Sequence, residues 1–313
     1  MLRYILRRCV STLPVILVVA VFIFSLLYIA PGDPALIIAG DQASPEVVQR
    51  IREQLGLNQP AYIRFFSWCG SILTGDLGTS VLSGKPVSEL IAQRIQPTVS
   101  LMLVTLVMSV GIAVPLGVLA TWRRGHLTDR LTMLFCVAGF SLPVFVTGYL
   151  LAYVFGLQLR WLPVQGYSRI ENGIWPWFRN LILPAAALSS VYIALITRIT
   201  RATLLEIMGR DYIRTARAKG MSVAPILFIH ALKNAAVPII TVIGTGVALL
   251  IGGSVVAESV FAIPGLGRLT IDAILSRDYP VIQAVVLIFS LSYVVINLII
   301  DLLYTVFDPR IRY

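Results

Sequence analysis

The chain has 313 residues, 58% of them hydrophobic and only 13% charged, with a mean hydropathy of +0.87. Soluble domains carry about a quarter charged residues, so this composition excludes an ordinary soluble domain. The net charge of +10 is spread between apolar runs, the pattern of membrane orientation rather than nucleic-acid binding.

The N-terminal MLRYILRR precedes an apolar run beginning at Cys9 and ending at Ala30. A secretory signal has a similar layout, but this run is too long and no A-x-A-like site closes it. Residues 1–30 therefore read as a cytoplasmic N-terminus and an uncleaved first span. Residues 31–97 form a helical region on the outer side. Ser44 suits an N-cap, Pro45 a first helical position and Gly56 a stop. Val47, Val48, Ile51 and Leu55 make one apolar stripe between them. A second helix is expected from Ala61 to Leu73, followed by a turn at Gly75–Gly78. The region is either a cap packed on the membrane domain or a contact surface for an outside partner.

Residues 98–313 hold five further apolar runs: Thr98–Thr121, Leu131–Gly156, Leu181–Ile199, Asn234–Ala257 and Val281–Phe307. Each is long enough to cross about 30 Å of hydrocarbon. Pro143 lies in the third and Pro184 in the fourth, which membrane helices tolerate. The fold expected is all-α and polytopic, with six transmembrane helices. Fifteen of the 25 Lys/Arg fall at the N-terminus, after the second span, around the end of the fourth span and at the C-terminus. These segments cover roughly 60 residues, against roughly 115 for the loops holding the other basic residues, so both termini are expected in the cytoplasm.

Several chemistries are absent from the sequence. The pattern Gly139-Phe140-Ser141 matches a G-x-S motif of intramembrane serine proteases, but such a serine needs a base. Both histidines, His126 and His230, fall outside the spans. No H-E-x-x-H and no pair of intramembrane aspartates occurs, and Asp301 is the one acid within a span. Ser141 therefore reads as a helix-packing residue. Cys9, Cys69 and Cys136 show neither disulfide nor metal spacing. No G-x-x-x-x-G-K-[ST] is present, so any ATP must be bound by another chain. Gly265-Leu266-Gly267 lacks a third glycine and a preceding strand, and reads as a turn.

The most specific local signal lies at 200–233, a basic stretch too long for a simple return loop. Asp211 is expected to cap one short helix and Gly220 to stop it. Ser222 is expected to cap a second that runs toward Ala235. Ala216 and Gly220 are small and four apart, so another surface can come close; Arg214, Arg217 and Lys219 offer charged donors. The alternative is a basic loop lying on anionic lipid.

At these residues the chain resembles permeases of ATP-binding-cassette importers, specifically the B-type permease of the dipeptide, oligopeptide, nickel and glutathione group. The general cytoplasmic loop of those proteins has the form E-A-A-x3-G-x9-I-x-L-P. Here Arg214 and Thr215 stand at the first two positions, Ala216 at the third and Gly220 at the glycine. His230 replaces the isoleucine, Leu232 is kept and Lys233 replaces the proline, as in the peptide-type version. Further similar motifs are PGDP at 31–34, QLGLNQP at 54–60, GDLGTS at 75–80, ESVFAIPGLGR at 258–268, RDYPVIQ at 277–283 and DPRIRY at 308–313.

The resemblance implies a type I importer permease fold with cytoplasmic coupling helices in the bacterial inner membrane. It implies a second homologous permease completing a heterodimer, two cytoplasmic ATPases and a periplasmic or lipid-anchored solute-binding protein. The chain would then bind no cofactor, with ATP and Mg held by the ATPases, and would not itself be an enzyme. Asp211, Arg214, Thr215, Ala216, Arg217 and Gly220 become the expected ATPase contact.

For the translocation path, polar and small positions within spans are the candidates. The fifth span holds Thr241, Gly244, Thr245, Gly246, Gly252, Gly253 and Ser254. The sixth holds Asn297 and Asp301 on one helical face. Thr245, Gly246, Asn297 and Asp301 are the expected lining residues; close helix packing is the alternative for each. Peptide is the expected cargo, with glutathione or a nickel chelate as alternatives on the same architecture. An ion-gradient-driven transporter is the rival of another class, thinly supported by one aspartate near a helix end.

Overall fold

The computed structural model describes residues 2–29, 35–36, 43–54 and 57–307. Among these the chain is helical, with no strand and one isolated bridge between Thr79 and Pro86. The PGDP motif, Leu55, the expected stop at Gly56 and the DPRIRY terminus lie outside the described residues.

The helices are α1 (Leu2–Ile29), α2 (Pro45–Gln54), α3 (Ala61–Leu73), α4 (Val87–Trp122), α5 (Leu127–Ser141), α6 (Val144–Gln158), α7 (Ile174–Met208), α8 (Asp211–Ala218), α9 (Val223–Val260), α10 (Leu266–Leu275) and α11 (Tyr279–Phe307). Among the described residues, α4, α7, α9 and α11 are long and apolar enough to cross a membrane. The expected first span lies in α1, whose run Val10–Ser25 is apolar.

The expected third span is not one straight helix. Its halves α5 and α6 meet at a bend of 106°. Pro143 is the cause: its ring crowds the preceding residue out of the helical region. Leu142 is accordingly extended, at φ −96° and ψ 124°, and Pro143 starts the next helix. The run is a broken span or a re-entrant pair. Pro184, by contrast, sits inside an unbroken α7.

The chain divides into two compact units. One comprises residues 1–95 with 269–294. Here α2 and α3 occupy the expected positions, and the Ser44 carbonyl accepts the amides of Val47 and Val48 at 3.0 and 3.2 Å. The Ser44 hydroxyl beside Glu46 holds that carboxyl below its usual range. Phe24 of α1 packs on Phe65 and Trp68 of α3, with ring centroids 5.4 and 5.9 Å apart.

The other unit comprises residues 96–268 with 295–313. Its central helix is α7: 67% of its apolar window is buried, against 39% for α4 and for α9. Leu188, Tyr192 and Ile196 of α7 share one core with Leu101, Leu250 and Phe261. A Cβ at Gly139 would stand 2.9 Å from the Ser190 carbonyl oxygen, so glycine there lets α5 lie close on α7. Ser141, expected to pack between helices, is instead exposed, and its hydroxyl donates to Val137 O within its own helix at 2.8 Å.

Candidate functional site

The short helix α8 lies between the ends of α7 and α9. Ile213 is fully buried among Val118, Leu204, Ile207, Ile226 and Ile239. Burying that side chain contributes about 1.5–3 kcal/mol to holding α8 in place. Tyr212, Arg214, Thr215, Arg217 and Lys219 point away from this cluster and are exposed. The helix is thus fixed by one apolar face while offering a basic, polar face to the surroundings.

Its ends differ from expectation at one terminus and match it at the other. Arg210 takes the N-cap position, and Asp211 is the first helical residue, with no side-chain cap. Its charge still suits the helix N-terminus. Asp211 also sits 3.5 Å from the Arg214 guanidinium, both exposed. At the C-terminus Gly220 has φ +82°, the left-handed residue of a Schellman cap. Met221 N donates to Ala216 O at 3.2 Å and Gly220 N to Arg217 O at 2.9 Å.

Two further expectations need correction. Ala216 does not stand on the outward face. It shares the inner face with Ile213, and its half-buried methyl packs on the same cluster with Met221 and Leu232. The i, i+3 spacing from Ile213 is the reason. The second short helix, expected to stand alone from Ser222 toward Ala235, is instead the start of α9. After Val223–Pro225 the chain continues through a π-helical segment, Ile226–Ala231, straight into the fifth span.

Asp129 at the start of α5 takes both prongs of Arg201 from α7, at 2.6 and 2.8 Å. The Gly125 amide donates to the same carboxylate at 3.0 Å. This pair ties the C-terminal part of α7 to the start of α5, and nothing in the local sequence announced it.

Along α9 the expected path residues separate. Gly246 is buried, and a Cβ there would stand 3.3 Å from the Tyr192 ring. A Cβ at Gly244 would meet Ile300 at 2.5 Å, and one at Gly253 would meet Leu188 at 2.8 Å. These glycines let this chain's own side chains pack closely against α9. Thr245 is exposed, in a stripe with Thr241, Leu249, Gly252, Val256 and Ser259. The hydroxyls of Thr241 and Thr245 donate to carbonyls of their own helix, at 2.8 and 2.6 Å. Asn297 and Asp301 are half-buried on α11.

At the far end of α9, the ESVFAIPGLGR motif closes around a carboxylate. Glu258 is 0% exposed. Its Oε1 accepts the Thr98 hydroxyl at 2.6 Å and its Oε2 the Arg268 amide at 3.0 Å. Thr98 in turn accepts the Leu266 amide at 2.8 Å. A Cβ at Gly265 would fall on the carboxylate itself, and one at Gly267 would stand 2.5 Å from Val255 Cα. Gly265 is therefore required by a buried acid beneath the start of α10 and Gly267 chiefly by the backbone at Val255, which is more than a turn.

Within the other unit, GDLGTS and RDYP meet. Buried Asp278 accepts the Ser80 hydroxyl at 2.6 Å and the amides of Val81 and Leu82 at 3.2 and 3.4 Å. Among the described residues, no cluster of three or more His, Cys, Asp or Glu could hold a metal.

The whole chain matches known proteins. A family model described as "Binding-protein-dependent transport system inner membrane component" matches residues 113–313, and its N-terminal companion model matches residues 1–102. The chain is 54% identical over 310 residues to "Probable peptide ABC transporter permease protein y4tP" of Sinorhizobium fredii, covering 99% of each chain. It is 42% identical over 313 residues to "Glutathione transport system permease protein GsiC" of Salmonella paratyphi A, covering 100% of each. Its fold resembles a chain of the inward-facing MetNI methionine ABC transporter, with a TM-score of 0.57 at 18% identity over 71% of this chain and 97% of that one.

Proposed function

The chain belongs to the family of binding-protein-dependent transport system inner membrane components and is a permease subunit of an ABC importer; we propose that it forms half of a translocation path for short peptides. It is a multi-pass inner-membrane protein whose energy comes from separate ATPase subunits and whose cargo is delivered by a solute-binding protein. The observation that carries the coupling role is α8, locked by Ile213 onto helices of the membrane core while its basic face is free.

In this reading two cytoplasmic ATPases dock on Asp211, Arg214, Thr215, Arg217 and Gly220 and hold ATP and Mg themselves. When they close, α8 moves, and the Ile213 cluster carries the shift to α7 and α9 as rigid bodies. A second, homologous permease faces the exposed α9 stripe around Thr245, with Asn297 and Asp301 nearer the inner end of the path. The excess of Lys/Arg on the α8 side supports cytoplasmic termini. Peptide is favoured as cargo because the 54% identical relative is named for peptide and the glutathione relative is more distant, at 42%.

The test is uptake into vesicles holding the permease pair, the ATPases and the binding protein. Labelled dipeptide should enter only with ATP, and unlabelled dipeptide should compete better than glutathione or a nickel chelate. Uptake driven by an ion gradient without ATPases would overturn the importer reading. Preferential competition by glutathione would overturn the cargo alone. Single cysteines at positions 85 and 210 test orientation: an impermeant reagent applied to cells should label the first and spare the second.

A further inference from the structure

We propose that α3 lies in the interface of the bilayer, its face formed by Tyr62, Phe66 and Leu73 resting on lipid, in the leaflet that receives the C-terminal end of α1. The inference requires only that α1 enters the membrane, so it can fail while the transport reading stands.

The two helices between the first and second spans differ sharply in chemistry. Helix α2, PEVVQRIREQ, carries four charged side chains, as a solvated helix should. Helix α3, AYIRFFSWCGSIL, carries one, Arg64, and its guanidinium is turned onto the Phe24 ring, 5.9 Å from the centroid. The outward side of α3 therefore presents no charge.

That side is also uncovered. No residue of α3 is buried, and Tyr62, Phe66 and Leu73 are 65%, 70% and 87% exposed. Their spacing of four and seven places them on one face. The adjoining face holds Phe65 and Trp68, which pack on Phe24. Three large apolar side chains in open water are a poor arrangement for a helix that already rests on a membrane span.

Position decides what covers them. Phe24 lies five residues before the end of α1, hence about 7–8 Å in from that end. Interfacial helices bury their apolar face about 5–10 Å deep at the boundary of headgroup and acyl chain, so the two depths agree. At 13 residues α3 is only about 20 Å long, too short to cross. Aromatic side chains with one polar edge, such as Tyr62, are favoured at that level. A soluble binding protein would need a polar rim around such an apolar centre, and α3 carries no charged side chain besides Arg64, which is turned onto Phe24.

The experiment uses the full complex in phospholipid vesicles. Nitroxide labels are placed at Phe66→Cys and Leu73→Cys, with Gln49→Cys on α2 as the control, on a background lacking native cysteines. Collision rates with molecular oxygen, which concentrates in lipid, are compared with those of a water-soluble nickel chelate. Labels at 66 and 73 should collide several-fold more with oxygen than with the chelate, and the label at 49 should show the reverse. Chelate-dominated collisions at both positions would place α3 in water and sink the proposal. Low collision with both reagents would mean a protein cover, and would sink it equally. All three sites are exposed, so the labels should leave substrate-stimulated ATP hydrolysis intact, which verifies assembly.

Discussion

Replacing Gly265 with alanine should damage this permease for one reason only, and that reason can be removed. The new methyl would fall on the Glu258 carboxylate, whose position is set by Thr98 and by the Arg268 amide. Overpacking of this kind costs about 1–3 kcal/mol. Glu258→Ala alone should cost about 2–5 kcal/mol, because it leaves the Arg268 amide and the Thr98 hydroxyl without this acceptor and opens a void. In the double variant the methyl enters space the carboxylate has left. The Gly265→Ala penalty should then fall close to zero, an interaction of about 1–3 kcal/mol between the two changes. Gly267→Ala is the control, since its methyl would also stand 2.5 Å from Val255 Cα, and removing Glu258 cannot move that backbone. The assay is the thermal unfolding midpoint of the purified complex, with abundance in membranes as a second reading. Equal Gly265→Ala penalties in both backgrounds would refute the reasoning, as would equal rescue of Gly267→Ala.

Other expectations follow from the inner face. Gly220→Asp should abolish uptake and substrate-stimulated ATP hydrolysis with abundance retained: the left-handed backbone costs it only about 1 kcal/mol, and a Cβ there would meet nothing within 4 Å. Ala216→Leu should instead lower abundance, because its bulk enters the Ile213 cluster; normal uptake and abundance in both variants would reduce α8 to a basic loop. Asp129→Asn should lower the unfolding midpoint by the equivalent of about 1.5–3 kcal/mol, the worth of hydrogen bonds to a charged group. Arg201→Lys should not preserve the midpoint, because an ammonium cannot reproduce the two-pronged contact, and an unchanged midpoint in either variant would show the pair to be idle.

What could be read in the sequence was whatever depends on near neighbours. Helices α2 and α3, the left-handed cap at Gly220 and the apolar runs all follow from spacing and local propensity. The bend at Pro143 was half legible: the proline was visible, but tolerance and breakage give the same letters, and Pro184 shows the tolerated case. The inward turn of Ala216 was hidden because Ile213 alone decides which face is down. The carboxylate networks were out of reach altogether, since Glu258 lies 160 residues from Thr98 and Asp278 lies 198 from Ser80. Only tertiary packing brings such pairs together, and the motifs around them look like plain turns. Asp278 therefore provides the sharpest test of a contact that sequence could not show. It holds the Val81 and Leu82 amides and the Ser80 hydroxyl at once. Asp278→Ala strips all three of their acceptor, whereas Ser80→Ala removes one donor to Asp278 and the acceptor of the Ser83 amide but leaves the Val81 and Leu82 amides bonded. Exchange of the 81–82 amides, followed by mass spectrometry, should accelerate tenfold for each 1.4 kcal/mol of lost protection. Roughly tenfold or more is expected for Asp278→Ala, given about 1–3 kcal/mol per orphaned group, and distinctly less for Ser80→Ala. Equal exchange in the two variants would mean that the loop is held by something other than this carboxylate.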